Sequence, residues 1–199
     1  MKARFTLALG VLLLVPTLTY ADSKSDFHNA MRRLWSDHVA YTRLFIVDVV
    51  AGSAGKDATK TRLLQNQTDI GNAVAGFYGR AAGDKLTALL KDRILITASI
   101  VETAKAGGKV ASEVKRLYAN GTDLAKFLHD ANPENWPEGP LQYAWGVHLD
   151  QTLSEFLNQL GGKYAQSIKD YDQAMDHMLK LADTLANGIV AQFPAKFSK

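Results

Sequence analysis

The chain has 199 residues, 47% of them hydrophobic, and carries 23 lysine and arginine side chains against 20 acidic ones, for a net charge of +3. So small a positive excess does not fit a nucleic-acid-binding protein or one held to membranes by a polybasic patch. The absence of cysteine excludes disulfides, thiolate zinc sites, covalently attached c-type haem and cysteine nucleophiles, so stability must come from a packed core.

The first 21 residues have the pattern of a secretory signal peptide. Lys2 and Arg4 form a basic start, residues 5–15 an apolar stretch, and residues 19–21 a small-residue cleavage site. No later segment has the roughly eighteen uninterrupted apolar residues that a membrane span needs, which predicts no transmembrane segment after signal cleavage. We therefore expect residues 22–199 to form a single exported domain, periplasmic or secreted, with almost no net charge.

Apolar residues recur at helical spacing along nearly the whole chain, and no segment alternates like a strand for more than a few residues. The predicted helices cover residues 27–49, 60–79, 84–106, 110–128, 141–161 and 164–189. Asp84 is the predicted N-cap of the third helix, and segment 132–140 is the longest predicted break. Alternating spacings of three and four residues are typical of helix bundles, so we predict an all-α fold.

An internal repeat of about 55 residues groups these helices into pairs. His38, Arg93 and His148 stand at equivalent positions of the odd-numbered helices, each four residues before a threonine. Glycine-containing helix ends at residues 51–52, 106–107 and 161–162 keep the same register. The repeat predicts an antiparallel bundle of three αα-hairpins, packed either as one six-helix bundle or as a four-helix core with a lateral pair.

Hairpin geometry predicts a polar layer across the middle of this bundle, because residues equidistant from the turn of an antiparallel pair lie at the same height. Six residues meet that condition, three on the odd helices and three at the edges of the apolar stripes of the even helices. They are His38, Arg93 and His148, together with Asp69, Asp123 and His177.

Imidazole and carboxylate groups are ligands of zinc, iron, manganese and copper, and helix-bundle cores are a common place for such sites. The layer therefore predicts a non-catalytic transition-metal site. Its predicted ligands are His38, Asp69, His148 and His177. Arg93 and Asp123 are expected to pair behind these ligands.

Two methionines flank His177 on the last predicted helix and are candidate cofactor-binding residues. A thioether from Met175 or Met178 would favour copper, or haem with histidine and methionine ligation. The expected ligand is therefore copper, zinc, iron or haem.

Other interpretations fit the same residues. Methionine at stripe positions is usually core, and an aspartate opposite histidine or arginine usually fixes helix register, which describes a metal-free structural or protein-interaction module. A pocket for haem or another small ligand is a further alternative. An enzyme in which Asp69 orients His38 as a general base is a third. No catalytic residue is assigned, because the chain lacks motifs such as Gly-x-Ser-x-Gly.

Three segments, residues 34–47, 66–72 and 182–185, resemble a family of small exported or surface-associated bacterial helical proteins that has no assigned function. The similarity extends over most of residues 22–199. In that family, histidine stands at the positions matching Arg93 and Met175, so the resemblance implies a richer histidine cluster. Here, Arg93 places a guanidinium where a ligand could sit, and that group repels a metal ion unless Asp123 neutralises it.

Overall fold

A computed structural model describes residues 24–197 and shows an all-α protein, as predicted. The helices are α1 (Lys24–Ala51), α2 (Lys56–Tyr78), α3 (Arg80–Lys105), α4 (Ala111–Ala131), α5 (Glu138–Leu160) and α6 (Tyr164–Gln192), followed by a 3₁₀ turn at Pro194–Lys196. The predicted signal segment, residues 1–21, lies outside the described residues. Between residues 24 and 197, no helix is long and apolar enough to cross a membrane.

The helices form three hairpins that close into a ring. Each helix packs against the next along the chain, and α6 packs against α1. Helix α1 also contacts α3 and α5, which brings the odd-numbered helices together near the centre. Of the two predicted arrangements, the contacts therefore agree with one six-helix bundle and not with a four-helix core beside a separate pair.

The predicted repeat is visible where the first helix of each hairpin ends. Gly52, Gly107 and Gly162 have φ angles of 71°, 78° and 73°, a region that residues with a Cβ atom rarely adopt. In each hairpin, the amide after the glycine donates a hydrogen bond to the carbonyl five residues earlier, which satisfies a helix-terminal acceptor. These bonds join Ser53 to Asp48, Gly108 to Thr103 and Lys163 to Asn158.

The repeat also appears in bonds between the two helices of each hairpin. In all three pairs, a side chain of the even helix donates to a backbone carbonyl of the odd helix, four residues before the residue of the predicted layer. The bonds run from Asn66 to Leu34, from Asn120 to Leu89 and from His177 to Ala144. The carbonyl acceptors stand at equivalent positions of the three odd helices, and the third donor lies one turn further along its helix than the other two.

The third helix begins earlier than predicted, at Arg80, and Asp84 is not its N-cap. Gly79, with φ of 84°, separates α2 from α3 and lets the chain reverse within one residue. Gly83 lies within α3 where α2 approaches closely, and a Cβ atom on it would lie 2.6 Å from the Ala75 Cβ. Asp84 instead accepts a hydrogen bond from Arg80 one turn away.

One large apolar cluster fills the interior and includes all three tryptophans of the chain. Trp35 on α1 and Trp145 on α5 occupy equivalent repeat positions, and their ring centroids are 5.7 Å apart. These rings lie one turn before His38 and His148 and contact them, beside the polar centre described next.

Candidate functional site

A small buried cavity lies where α1, α3 and α5 meet. Its volume is about 20 Å³, which is room for about one water-sized group. Its polar lining consists of the two sets of equivalent residues that the repeat singles out, while the remaining lining is apolar. The polar residues are His38, Arg93 and His148, with Thr42, Thr97 and Thr152.

Among the described residues, Arg93 is the only charged one in the cavity wall, and the residue is 3% exposed. Its guanidinium carbon lies 5.0 Å from the centre of the Trp145 ring, a cation–π contact. Its Nη1 atom has no hydrogen-bond partner in the protein. Burial lowers the pKa of Arg93 to about 9, which leaves the group protonated at neutral pH.

No counter-charge from residues 24–197 accompanies this cation. Among residues 24–197, no carboxylate forms an ion pair with Arg93, and none lines the cavity. Asp123, its predicted partner, is exposed on α4. The predicted pairing of Arg93 with Asp123 is therefore wrong.

His38 and His148 lie next to each other in the cavity wall, with ring centroids 5.6 Å apart. Both side chains are buried, and the Nδ1 atom of each lacks a hydrogen-bond partner in the protein. Burial is the main cause that lowers the pKa of His38 to about 3, and the charge of Arg93 adds to the decrease, whereas a hydrogen bond with Gln67 raises the pKa. The same two causes, in the same order, lower the pKa of His148. Both imidazoles are therefore neutral at pH 7.

The three threonines are already engaged as donors. Each hydroxyl donates to the carbonyl four residues earlier in its own helix, at 2.7 Å for Thr42 and 2.9 Å for Thr97 and Thr152. The remaining donors at the cavity are the Arg93 guanidinium and whichever imidazole nitrogens carry a proton. The site thus combines one fixed cation with two neutral rings that each have a nitrogen free for a ligand.

The even-numbered helices contribute no polar residue to this cavity and only the apolar Leu63 of α2. Of the six residues of the predicted layer, His38, Arg93 and His148 therefore line the cavity. Asp69 is half-buried, accepts a hydrogen bond from Gln65 and lies 3.8 Å from Arg62. The Nε2 atom of His177 lies 2.8 Å from the Ala144 carbonyl oxygen. The physical reason is that Asp69, Asp123 and His177 each precede a buried stripe residue by one position, which turns them about 100° away from the centre.

The predicted set of four metal ligands is not assembled. His38 and His148 are adjacent, whereas Asp69 and His177 do not line their cavity. Across the described part of the chain, no three histidine or acidic side chains come close enough together to hold a metal ion. Met178 lies buried in the main apolar cluster and Met175 packs against it from a half-buried position, so both have the surroundings of core residues.

A second polar cluster, at Arg43 and Glu155, was not predicted from the sequence. Arg43 of α1 donates a 2.9 Å hydrogen bond to the buried Glu155 of α5 and another, 3.2 Å long, to the Ser167 hydroxyl of α6. Burial raises the pKa of Glu155 to about 7, although the bond to Arg43 lowers it. Glu155 follows His148 by seven residues, so its place on the buried stripe of α5 was the available signal.

Comparison of the chain with family models, curated proteins and solved structures finds no match.

Proposed function

We propose that this protein is a non-catalytic binding protein that holds a small inorganic ligand at the central cluster of His38, Arg93 and His148. One observation carries the proposal: polar side chains from three different helices meet at one cavity, and each has a buried nitrogen atom without a protein partner. A buried polar atom left without a hydrogen bond destabilises a protein by about 1–3 kcal/mol, and a buried charge by more. A bound ligand that accepts these bonds offsets that penalty.

The alternative of a metal-free module that only fixes helix register is less consistent with this chemistry. A register-fixing layer gains from mutual pairing, and Arg93 has no acidic partner in the part of the chain described. The position of Asp69 does not support the alternative of a general base, because Asp69 accepts a hydrogen bond from Gln65 and does not line the cavity beside His38.

A transition metal remains a candidate ligand on one specific observation. The Nδ1 atoms of two neighbouring neutral imidazoles are free, and the neutral ring is the form that binds zinc, copper or iron. The charge of Arg93 acts against a bound cation, and haem is far larger than a cavity of about 20 Å³. An exported location, periplasmic or secreted, is part of the proposal and rests on the signal-like residues 1–21.

The test uses residues 22–199 purified without an affinity tag. Elemental analysis and native mass spectrometry identify a retained ligand, and thermal unfolding measures the response to added copper, zinc, iron and manganese and to a panel of inorganic anions. We expect at least one of these to bind and to raise the midpoint of unfolding in a saturable way. The double variant His38→Gln, His148→Gln should lose that response, whereas His177→Gln, which changes a histidine outside the cavity, should keep it.

Absence of any retained or added ligand in a folded protein would contradict the proposed function and leave the central cluster as a structural device. A response that survives unchanged in the double variant would place the ligand elsewhere on the molecule.

A further inference from the structure

We infer that the ligand of the central cavity is a small inorganic monoanion, of the size of chloride, bromide or nitrite, and that Arg93 anchors it. This inference rests on the proposed function and names the class of ligand.

The first step of the inference is charge. Arg93 is a guanidinium with 3% of its side chain exposed and no ionic partner among residues 24–197. An isolated ion in an apolar interior is strongly disfavoured unless an opposite charge lies close to it. A monoanion in the cavity beside the Arg93 guanidinium neutralises the site, whereas a metal cation there adds a second positive charge beside the first.

The second step is the set of donors. The guanidinium offers N–H groups only and cannot accept a hydrogen bond or bind a metal. Each neutral imidazole carries one N–H, which can reside on the free Nδ1 atom of His38 or of His148. The residues that line the cavity therefore offer an anion up to three donors, one from each of three helices, and a bond to Arg93 is charge-assisted and accordingly strong.

The third step is size. The cavity of about 20 Å³ accommodates roughly one water-sized group, which fits a halide ion or a small bent anion. Sulfate and phosphate are larger and carry more charge than one guanidinium balances. The geometry thus favours small monoanions over the tetrahedral oxyanions that exposed clusters of arginine and lysine usually bind.

The experiment measures anion binding directly, with bromide as the main probe. Residues 22–199 are prepared in gluconate, and chloride, bromide, nitrite and sulfate are titrated at constant ionic strength while the midpoint of thermal unfolding is followed. We expect a saturable rise with the three monoanions and none with sulfate. Crystals grown in bromide should show an anomalous peak within hydrogen-bond distance of the Arg93 Nη1 atom.

Two variants isolate the role of Arg93. Arg93→Met removes the charge from the cavity and should weaken bromide binding about tenfold or more, as expected for loss of a hydrogen bond to a charged group. Arg116→Met removes one charge from an exposed position on α4 and should leave binding unchanged. Arg93→Lys keeps the charge and should retain weaker binding, which provides a second measurement if the methionine variant does not fold.

The outcomes separate this inference from the proposed function. If a transition metal binds through His38 and His148 while no anion does, the function stands and the anion inference is wrong. If neither binds, both are wrong. A bromide response of equal size in wild type and Arg93→Met, or a wild-type cavity in bromide-soaked crystals that contains only water, overturns the inference.

Discussion

Two arginines with little exposure to solvent, Arg43 and Arg93, differ in the groups that their guanidinium groups contact. Arg43 has Glu155 at 2.9 Å, the Ser167 hydroxyl at 3.2 Å and the face of Tyr171 at 5.2 Å from its guanidinium carbon. Arg93 has the face of Trp145 at 5.0 Å and a free Nη1 atom. Each guanidinium lies over an aromatic ring, but only Arg43 has a carboxylate.

The difference shows that this fold can supply a carboxylate to a partly buried guanidinium. The Arg43 cluster pairs its guanidinium with a carboxyl group of the same chain. The central cluster contains a charge that the described residues do not balance, although α5 carries Glu155 just seven residues beyond His148. We therefore interpret the imbalance at Arg93 as a property of the site itself, and the following predictions test it.

The largest expected effect on stability is at the ion pair between Arg43 and Glu155. Arg43→Met leaves the Glu155 carboxylate buried without its cation, and removing one partner of a buried pair destabilises a protein by about 3–5 kcal/mol. The loss should be large at pH 8 and clearly smaller at pH 5, where Glu155 is protonated. Urea unfolding at both pH values measures it, with Arg80→Met, at the exposed pair with Asp84, as control. Equal losses at the two pH values would contradict a charged Glu155.

At the central cluster, we expect removal of the arginine to change the free energy of unfolding in the opposite direction. Arg93→Met removes a buried charge that lacks a partner and with it the desolvation cost of that charge; even complete buried ion pairs are often replaced by apolar residues with no loss or with a gain of about 1–4 kcal/mol. We expect the free energy of unfolding to rise in gluconate buffer, with no change in Arg116→Met. A large destabilisation by Arg93→Met would mean that the guanidinium makes favourable interactions that the structure does not reveal.

The pH dependence of stability should distinguish the two clusters as well. The pKa of His38 is about 3 and that of His148 is also below its ordinary 6.5, so their contribution is present above pH 6.5 and is lost as the pH falls. Glu155, raised from 4.5 to about 7, acts oppositely: its contribution is present at low pH and is lost as the pH rises towards 7.

Between pH 4.5 and 6.5 these contributions partly cancel, because the unfolded chain gains two histidine protons while the native protein holds one on Glu155. Glu155→Gln removes the opposing contribution and should steepen the acid loss of stability by about 1.4 kcal/mol per pH unit. Denaturant unfolding at pH 5, 6 and 7 measures the slope. Glu134→Gln, at an exposed position, serves as control and should leave the slope unchanged.

The smallest expected effect is at the threonines of the cavity. The Thr97 hydroxyl donates to the carbonyl of Arg93 and does not accept from a guanidinium as the Ser167 hydroxyl does. Thr97→Val should therefore lower stability by only about 0.5–1.5 kcal/mol, the usual contribution of one hydrogen bond. Thr184, exposed and bonded in the same way to Lys180, provides the matched control, for which thermal unfolding should show almost no change.

The sequence was sufficient to predict the helical hairpins and the grouping of His38, Arg93 and His148, because a constant spacing of about 55 residues sets both register and height. It was not sufficient to predict the direction of Asp69 or His177. A helical stripe fixes the angle of a residue on its own helix, whereas the rotation of that helix against its neighbours decides which edge faces the centre. The contact between Arg43 and Glu155 joins residues 112 positions apart, and no local pattern encodes it.

The number of hairpins has a consequence for the chemistry of the centre. In a bundle with an even number of inner helices, the polar side chains at any one height can form opposing pairs that hydrogen-bond to each other. Three inner helices present an odd number at every height, as in the levels of Trp35, Leu90 and Trp145 and of His38, Arg93 and His148. An apolar level tolerates this parity, and the level of Thr42, Thr97 and Thr152 satisfies its hydroxyl groups with backbone carbonyls. The level of His38, Arg93 and His148 instead leaves buried nitrogen atoms without partners in the protein, which is where we propose that a ligand binds.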